Sequence, residues 1–431
     1  MHEVMNRVCN EIDNRKEGMV SLLQDLVRKR SVLGNERSAQ EVIHTKWQSL
    51  GLESKMWQPR KGVLACHPAF APVEWDYEGR PNVTAILASP TGDGRSLVLN
   101  GHMDVVSPEP ISMWTYDPWE GEIVDGRMYG RGAADTKGGI AMMALTLEAL
   151  RASDVSLRGN VILETVIEEE CSGNGTLACR MAGYNADGAI VCEPYSLKAN
   201  IATMGVMWFR VTVRGSGAHV LEAHRAVNAI EKCFFLVSAL RRLEEQMNLK
   251  IIHPLYRERE HPVNLNLGKM HGGDWPSNVP ALCEFECRIS YPPGVRPSEV
   301  QQEIEDCIAK SAAEDPWLSK SPPSVAYYGF RAEGCEVDPK NPLGRLLGDC
   351  HLEMLSEKMG FDISTACDDT RYFNNYFGMP AVGYGPKGGG FHGPDEYVEL
   401  DSIVMGAKTL ACFITEWCGV AENVSGMTGP R

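Results

Sequence analysis

The chain has 431 residues, 43% of them hydrophobic and 23% charged, and it carries a formal net charge of −15. That length predicts two or three domains of an ordinary globular protein, and the acidic excess argues against nucleic acid as a partner, because phosphates are bound mainly through surplus Lys and Arg. No apolar run approaches the ~18 residues needed to span a bilayer, no secretory signal is visible, and the fourteen cysteines include no Cys-x-x-Cys pair. We therefore expect reduced thiols, no membrane partner and a cytoplasmic location.

The first half of the chain is predicted to alternate between helices and strands. Apolar residues at helical spacing predict helices over residues 16–30 and 38–50, whereas the irregular stretch 54–95 holds one strand candidate, at 83–87. The predicted elements that follow are strands at 97–100, 160–168 and 189–192 and helices at 137–150 and 174–182. This order predicts an α/β fold in which a mostly parallel sheet has helices on both faces.

The middle of the chain has a different pattern. Its predicted order is strand, helix, two strands and helix, at residues 207–213, 223–245, 263–267, 282–290 and 297–312. This order is typical of a compact α+β unit. The alternation then resumes with a helix at 342–359, a strand at 381–384 and a helix at 402–418, and residues 422–431 resemble a tail. We therefore predict an α/β domain formed by residues 1–197 and 316–431, interrupted by a smaller α+β domain at 198–315.

Two stretches of the predicted α/β domain carry side chains that could bind a metal. The apolar run at 97–101 is typical of a buried strand, and it delivers His102 and Asp104 at its carboxyl end, where open α/β sheets place their chemistry. Two residues apart on an extended segment, these side chains point to the same side, so we expect the Asp104 carboxylate to accept the imidazole N–H that is not bound to a metal. Asp135 follows in a Gly-rich turn that opens a helix. The alternative is a core histidine and a helix-capping aspartate.

Further carboxylates and a second histidine occur at similar places. Glu168, Glu169 and Glu170 follow one predicted strand, Glu193 follows another, and His392 lies in a Gly-rich loop. Adjacent carboxylates repel one another unless they share a cation or a proton, and the alternative is a solvated acidic loop and a solvated histidine. Two histidines and several carboxylates without a thiolate suit zinc, or cobalt and manganese. Two such ions would activate water and polarise an acyl oxygen, and an unliganded Glu would pass the water's proton to the leaving nitrogen.

Five segments together resemble the M20 metallopeptidases, nearest the branch of acetylornithine deacetylase and succinyl-diaminopimelate desuccinylase. The segments are 101–104, 130–139, 168–175, 193–194 and 392–396, in the family's order. The resemblance implies a di-zinc hydrolase in which His102 and Glu193 hold one ion, His392 and Glu170 hold the other, and Asp135 bridges them.

The same resemblance implies further roles in the centre. Glu169 would be the general acid and base, Asp104 would orient His102, and a cis peptide would follow Asp135. The chain departs from the family at Glu168, where Asp is usual, so a shift of the acidic triplet by one residue remains an alternative. In that alternative Glu168 would be the base and Glu169 a ligand, although the spacing to residues 173–175 favours Glu169 as the base.

The inserted domain resembles the lid of this family, which also dimerises. His219 matches a histidine that reaches the active site of a neighbouring subunit and stabilises the oxyanion. Asn278 and Arg288 match positions that contact the carboxylate or amide of the substrate, and Arg371 is a further candidate of that kind, because a guanidinium can bond both oxygens of a carboxylate. The departure at Val220, where small or hydroxyl residues are common, concerns the substrate pocket.

These observations predict a metal-dependent amidohydrolase that cleaves a C–N bond in a small, carboxylate-bearing substrate, most simply an N-acyl amino acid. The alternatives among enzymes are a dipeptidase or carboxypeptidase, and a hydrolase that releases ammonia from a nonstandard amine. We expect a homodimer or higher homo-oligomer assembled through the lid. A non-catalytic binding module would require a broken set of metal ligands, and here the set is complete.

Overall fold

The structure is a computed structural model that describes residues 2–421, so the predicted tail at 422–431 lies outside the described residues. The helices are α1 (His2–Asn14), α2 (Lys16–Val27), α3 (Arg37–Ser49), α4 (Lys61–Leu64), α5 (Gly139–Ala152), α6 (Asn174–Met181), α7 (Ala229–Leu249), α8 (Pro297–Glu314), α9 (Pro342–Leu355) and α10 (Leu400–Cys418). Among residues 2–421, no helix combines the length and the apolar character needed to cross a membrane.

The strands of the described residues form one sheet of nine strands, two sheets of four and one of two. They are β1 (Glu53–Trp57), β2 (Asn82–Leu87), β3 (Leu97–His102), β4 (Glu122–Val124), β5 (Arg127–Tyr129), β6 (Val161–Val166), β7 (Ala189–Val191), β8 (Ala199–Thr203), β9 (Gly205–Arg214), β10 (Ala218–His219), β11 (Leu265–Gly272), β12 (Asn278–Val279), β13 (Leu282–Tyr291), β14 (Ser324–Ala332), β15 (Cys335–Glu336), β16 (Phe361–Ile363), β17 (Ala381–Gly383), β18 (Gly388–Gly389) and β19 (Tyr397–Glu399).

The central sheet has nine strands in the order β1-β2-β6-β3-β7-β17-β8-β15, with β16 paired to β8. Its middle strands β6, β3, β7 and β17 are parallel neighbours, and strands of opposite direction flank them. Parallel strands end at the same edge of a sheet, so the residues after β3, β6 and β7 come together. The predicted α/β fold with a mostly parallel sheet is confirmed.

Alternate residues of the central strands pack on opposite faces, as the pleat of a strand requires. Leu97 and Leu99 of β3 join a core with apolar residues of α1, α2, α5, α9 and α10. Val98 instead joins a second core that contains Phe373, and α6 contacts β6. Both faces of the sheet are therefore covered, which explains why β3 and β6 are buried along their whole length rather than at alternate residues.

The smaller sheet is antiparallel, with the order β11-β13-β9-β14, and it packs on α7 and α8. On β13, Cys283, Phe285 and Cys287 are buried in this core, while Glu286 and Arg288 are only partly buried. One face of the sheet therefore builds a core and the other carries polar side chains.

Strand pairing places the first change of sheet near residue 204, a few residues after the domain limit predicted at 197/198, and the second near residue 333, well after the limit predicted at 315/316. Strand β8 belongs to the central sheet, and β14 pairs with β9 of the smaller sheet. A two-domain division thus remains a prediction, for which sheet membership favours limits near Met204 and Glu333.

Candidate metal centre

The carboxyl ends of three parallel strands carry the predicted ligands. His102 is the last residue of β3, Glu170 follows β6 by four residues, and Glu193 follows β7 by two residues. Asp135 lies in the loop before α5, and the Asp135–Thr136 peptide is cis, as the family resemblance implies.

The structure brings the five predicted metal ligands to one place. Nε2 of His102 lies 2.9 Å from Oδ1 of Asp135 and 3.5 Å from Oε1 of Glu193. Nε2 of His392 lies 3.5 Å from Oδ2 of Asp135 and 3.0 Å from Oε2 of Glu170. Asp135 therefore turns one carboxylate oxygen to each histidine, which is the arrangement that a carboxylate shared between two cations requires.

The donor atoms of this cluster fit divalent cations. Among the described residues, His102, Asp135 and Glu170 each offer one ligand atom, and these atoms lie within 4.8 Å of one another. Oε1 of Glu193 is buried and has no hydrogen-bond partner there. Imidazole nitrogens with carboxylate oxygens are the ligands typical of catalytic zinc and also suit cobalt and manganese.

The electrostatics of the cluster also favour the binding of cations. Burial raises the pKa of the Glu193 carboxyl well above its usual range. Burial disfavours the charged imidazole of His102, but Glu193 and Asp135 outweigh it and hold the pKa of this histidine well above the ordinary value. Attraction to Glu170 raises the pKa of His392 to about 11. Such a concentration of buried carboxylates is stabilised by positive charge.

Asp104 contacts His102 in a different way from the one predicted. The main-chain oxygen of Asp104 lies 2.8 Å from Nδ1 of His102, whereas its Oδ1 lies 3.6 Å away. Its carboxylate instead accepts the backbone N–H groups of Glu169 and Glu170, at 3.2 and 3.1 Å. Strand β3 ends at His102, so Asp104 lies beyond the paired strand, and its carbonyl is nearer to the imidazole than its carboxylate is.

Glu396 accepts backbone N–H groups of the loop that carries Asp135, as Asp104 does for the acidic triplet. Its carboxylate accepts the backbone N–H groups of Gly132, Ala134 and Asp135 at 3.0 to 3.1 Å, and it pairs with Arg131 at 2.6 Å. Glu396 lies in the segment 392–396 that carries part of the family resemblance, but no role was predicted for it. A buried acidic residue three or four positions from a ligand is the signal that could have identified it.

The acidic triplet divides its three side chains between two environments. Glu168 is fully buried and pairs with Arg80 at 2.6 Å, away from the histidines. Oε2 of Glu169 lies 3.9 Å from Nε2 of His102, and Glu170 faces His392. Burial raises the pKa of the Glu169 carboxyl well above its usual range. This geometry favours the register with Glu169 as the base.

A cavity of about 780 Å³ extends from this cluster to the polar face of the smaller sheet. Aromatic rings form part of its wall, where Trp208 makes edge contacts with Phe330 and Tyr328 at ring distances of 5.4 and 5.8 Å. Arg288 also lines the cavity; its Nη2 donates to the Thr365 carbonyl at 3.4 Å, and no carboxylate among the described residues pairs with it. The cavity therefore offers an apolar wall and a cation near the acidic cluster.

The other predicted substrate contacts lie outside this cavity. His219 and Asn278 are exposed and face each other in the short pairing of β10 with β12. Arg371 is only 2% exposed and donates to the main-chain oxygens of Asp368 and Ser172, at 2.8 and 3.0 Å. Its guanidinium is thus engaged inside the fold rather than open to a substrate, because the segment that carries it is bonded to the segment after β6.

Three comparisons relate this chain to known proteins. A model of peptidase family M20/M25/M40 matches residues 98–416. The N-formyl-4-amino-5-aminomethyl-2-methylpyrimidine deformylase of Halalkalibacterium halodurans is 27% identical over 437 residues, which cover 96% of this chain and 98% of the relative. The acetylornithine deacetylase of Salmonella arizonae is 28% identical, covering 79% and 85% of the two chains. The solved structure of the di-peptidase Dug1p from Saccharomyces cerevisiae has a TM-score of 0.79 at 15% identity, covering 98% and 100%.

Proposed function

The chain belongs to peptidase family M20/M25/M40, and from this membership and the geometry of its centre we propose that it deacylates a small N-acylated compound. It is a metal-dependent amidohydrolase, and the finer statements about metal, residues and substrate are part of the proposal. The observation that carries the proposal is the position of Asp135 between His102 and His392, with Glu169 beside them.

We assign the ligands to two ions. His102 and Glu193 would hold one ion, His392 and Glu170 would hold the other, and the carboxylate of Asp135 would be shared. Zinc is the preferred ion and cobalt or manganese are alternatives, as the nitrogen and oxygen donors suggest. Bound ions of this kind lower the pKa of water and polarise a carbonyl group.

The proton transfers belong to Glu169. As a carboxylate it takes the proton from the attacking water, and it then gives that proton to the leaving nitrogen, so the amide C–N bond breaks to a carboxylate and an amine. Its side chain is 10% exposed, which excludes most water from this transfer. Asp104 holds the backbone of Glu169 and, through its carbonyl, the imidazole of His102.

An N-acyl amino acid is the substrate class that we favour. The guanidinium of Arg288, which pairs with no carboxylate of the described residues, would bind its carboxylate through both oxygens. A formylated amine on a heteroaromatic ring is the second candidate, because a relative that matches nearly the whole chain is named as such a deformylase. The aromatic wall formed by Trp208, Tyr328 and Phe330 would accept a planar ring.

We further propose a homodimer assembled through the smaller sheet and its helices. His219 and Asn278 are exposed, neighbour each other and lie outside the cavity of their own chain. A second subunit could receive them at its own centre, where the imidazole would donate a hydrogen bond to the oxyanion.

A substrate panel tests the proposal. The metal-free protein is reconstituted separately with zinc, cobalt and manganese and incubated with N-acyl amino acids, N-formyl aminomethyl heteroaromatics, dipeptides and amino-substituted aromatic acids. We expect metal-dependent release of a carboxylic acid and a free amine from the N-acyl amino acids. Turnover of dipeptides alone, or release of ammonia alone, would contradict deacylation and support one of the alternative hydrolases.

A further inference from the structure

Glu168 has more stabilising contacts than the two acidic residues that follow it. Its carboxylate accepts hydrogen bonds from the Trp75 indole, from the Tyr77 hydroxyl at 2.9 Å, from Arg80 at 2.6 Å and from the Ser172 hydroxyl at 2.7 Å. The side chain is completely buried. Four donors on one buried carboxylate satisfy its lone pairs without any contribution from the candidate ligands.

The backbone of Glu168 is also unusual. Its φ is +69°, in the left-handed region that non-glycine residues rarely adopt. Its carbonyl accepts the backbone N–H groups of Ser172 and Gly173 at 2.9 and 2.6 Å, which closes a tight turn around Glu169 and Glu170. Such a conformation costs free energy and persists only where surrounding contacts over-determine it.

The donors that hold Glu168 are themselves anchored. Arg80 donates through Nε to Glu36 at 3.0 Å, so its guanidinium lies between two buried carboxylates. Asn174 donates to the Tyr77 hydroxyl at 3.0 Å and exchanges two hydrogen bonds with the backbone of Ala71. Hydrogen bonds therefore join both ends of the segment 71–80 to residues in or next to the turn.

This turn fixes the direction in which the next two side chains leave the backbone. The N–H groups of Glu169 and Glu170 both point to the carboxylate of Asp104. Glu169 then reaches to within 3.9 Å of His102, and Glu170 reaches to within 3.0 Å of His392. A rotation of the Glu168 peptide would move both groups away from the histidines.

We propose that Glu168 is a positioning residue, which through the donors of segment 71–80 sets the turn that presents Glu169 and Glu170 to the centre. It touches neither the cavity nor the histidines, so it acts only through its two neighbours. The proposal rests on the assignment of Glu169 as base and Glu170 as ligand.

The test compares Glu168→Gln with Glu164→Gln. Glu164 is a matched control, because it is also fully buried, pairs with a buried arginine, Arg180, and lies on the strand that leads into the same turn. Both variants lose one buried charge and both are expected to unfold at a lower temperature than the wild type. All measurements are made below both unfolding transitions, on a substrate that the wild-type protein hydrolyses.

We expect Glu168→Gln to lower kcat about 100-fold while KM changes little, the loss typical of a catalytic group misplaced by about 1 Å. We also expect Co²⁺ titration, followed by the absorption of the bound ion, to show weaker binding than in Glu164→Gln. Equal kcat and equal Co²⁺ affinity in the two variants would overturn the proposal.

A milder variant keeps the proposal testable if Glu168→Gln does not fold. Tyr77→Phe removes one donor to Glu168 and should lower kcat several-fold, with Co²⁺ affinity following in the same direction, whereas unchanged kcat and affinity would overturn the proposal. If the wild-type protein itself neither bound Co²⁺ nor hydrolysed any amide, the assigned function would fail first, which is distinguishable from these outcomes.

Discussion

The substitution Glu169→Gln tests the assigned base directly. The carboxamide has the shape of the carboxylate, and the backbone N–H of this residue stays bonded to Asp104, so the fold and the metal ligands should be preserved. The carboxamide cannot take a proton at neutral pH. The neighbouring carboxylates of Glu170 and Glu193 face His392 and His102, so neither is free to replace it.

The size of the expected loss of kcat follows because no other group can replace Glu169 as the base. General acid–base catalysis contributes about 10²- to 10⁴-fold, and the absence of a replacement places the loss at the upper end, about 10⁴-fold in kcat. That factor corresponds to about 5.4 kcal/mol of transition-state stabilisation, at about 1.36 kcal/mol for each factor of ten. KM should change less than about threefold if the residue acts mainly in the transition state.

The assay measures kcat, KM and bound metal on the same preparation, with metal quantified by mass spectrometry. Asp362→Asn is the control, because Asp362 also lines the cavity but pairs with neither histidine, and it should keep kcat within about fivefold of the wild type. Activity within tenfold of the wild type in Glu169→Gln, with both metals retained, would refute the role of Glu169 as base. Loss of one metal would instead identify Glu169 as a ligand.

Three other outcomes can be measured with the same substrate. His219→Ala should lower kcat without loss of metal, and mixing it with Glu169→Gln should restore some activity if the histidine acts across a dimer. Arg288→Ala should raise KM about tenfold or more for carboxylate-bearing substrates, because hydrogen bonds to charged groups contribute about 1.5–3 kcal/mol. For neutral amides the same substitution should raise KM much less. Chelation should abolish turnover and lower the unfolding temperature, since an ion at a hundredfold excess over its Kd stabilises by about 2.7 kcal/mol.

A specific result would contradict each of these three predictions. Mixed variants that stay inactive would mean that His219 does not complete a partner's centre. Equal losses for charged and neutral substrates would remove the carboxylate role of Arg288. Turnover that survives complete metal removal, measured on the same sample, would contradict a metal-dependent reaction.

The parallel core and the strand-end residues could be predicted from sequence because they depend on local pattern. Each of β3, β6 and β7 begins with three apolar residues, and His102, Glu168 or Glu193 lies at its carboxyl end or two residues beyond it. The parallel direction then brings these three residues to one edge. Helix α1 was absent from the prediction, although Met5, Val8 and Ile12 lie at helical spacing and are buried. That pattern could have identified it.

The contacts of Glu168 could not be predicted in the same way. Trp75, Tyr77 and Arg80 come from a stretch without regular structure, about ninety positions earlier in the chain, and only the tertiary fold brings them to the acidic turn. The position of Arg371 is a similar case, because its burial depends on the carbonyl groups of a distant loop. Residue type alone suggested a substrate contact there.

The placement of Asp135 has a consequence for how the centre fills with metal. Its two oxygens face different histidines, so in the proposed assignment one side chain would belong to both ion positions. Two binding equilibria that share a group are thermodynamically linked, and occupancy of either position changes the affinity of the other by the same factor. A metal titration of this protein should therefore depart from the statistical distribution of two independent sites, and the fraction of singly loaded molecules would report the sign of the coupling.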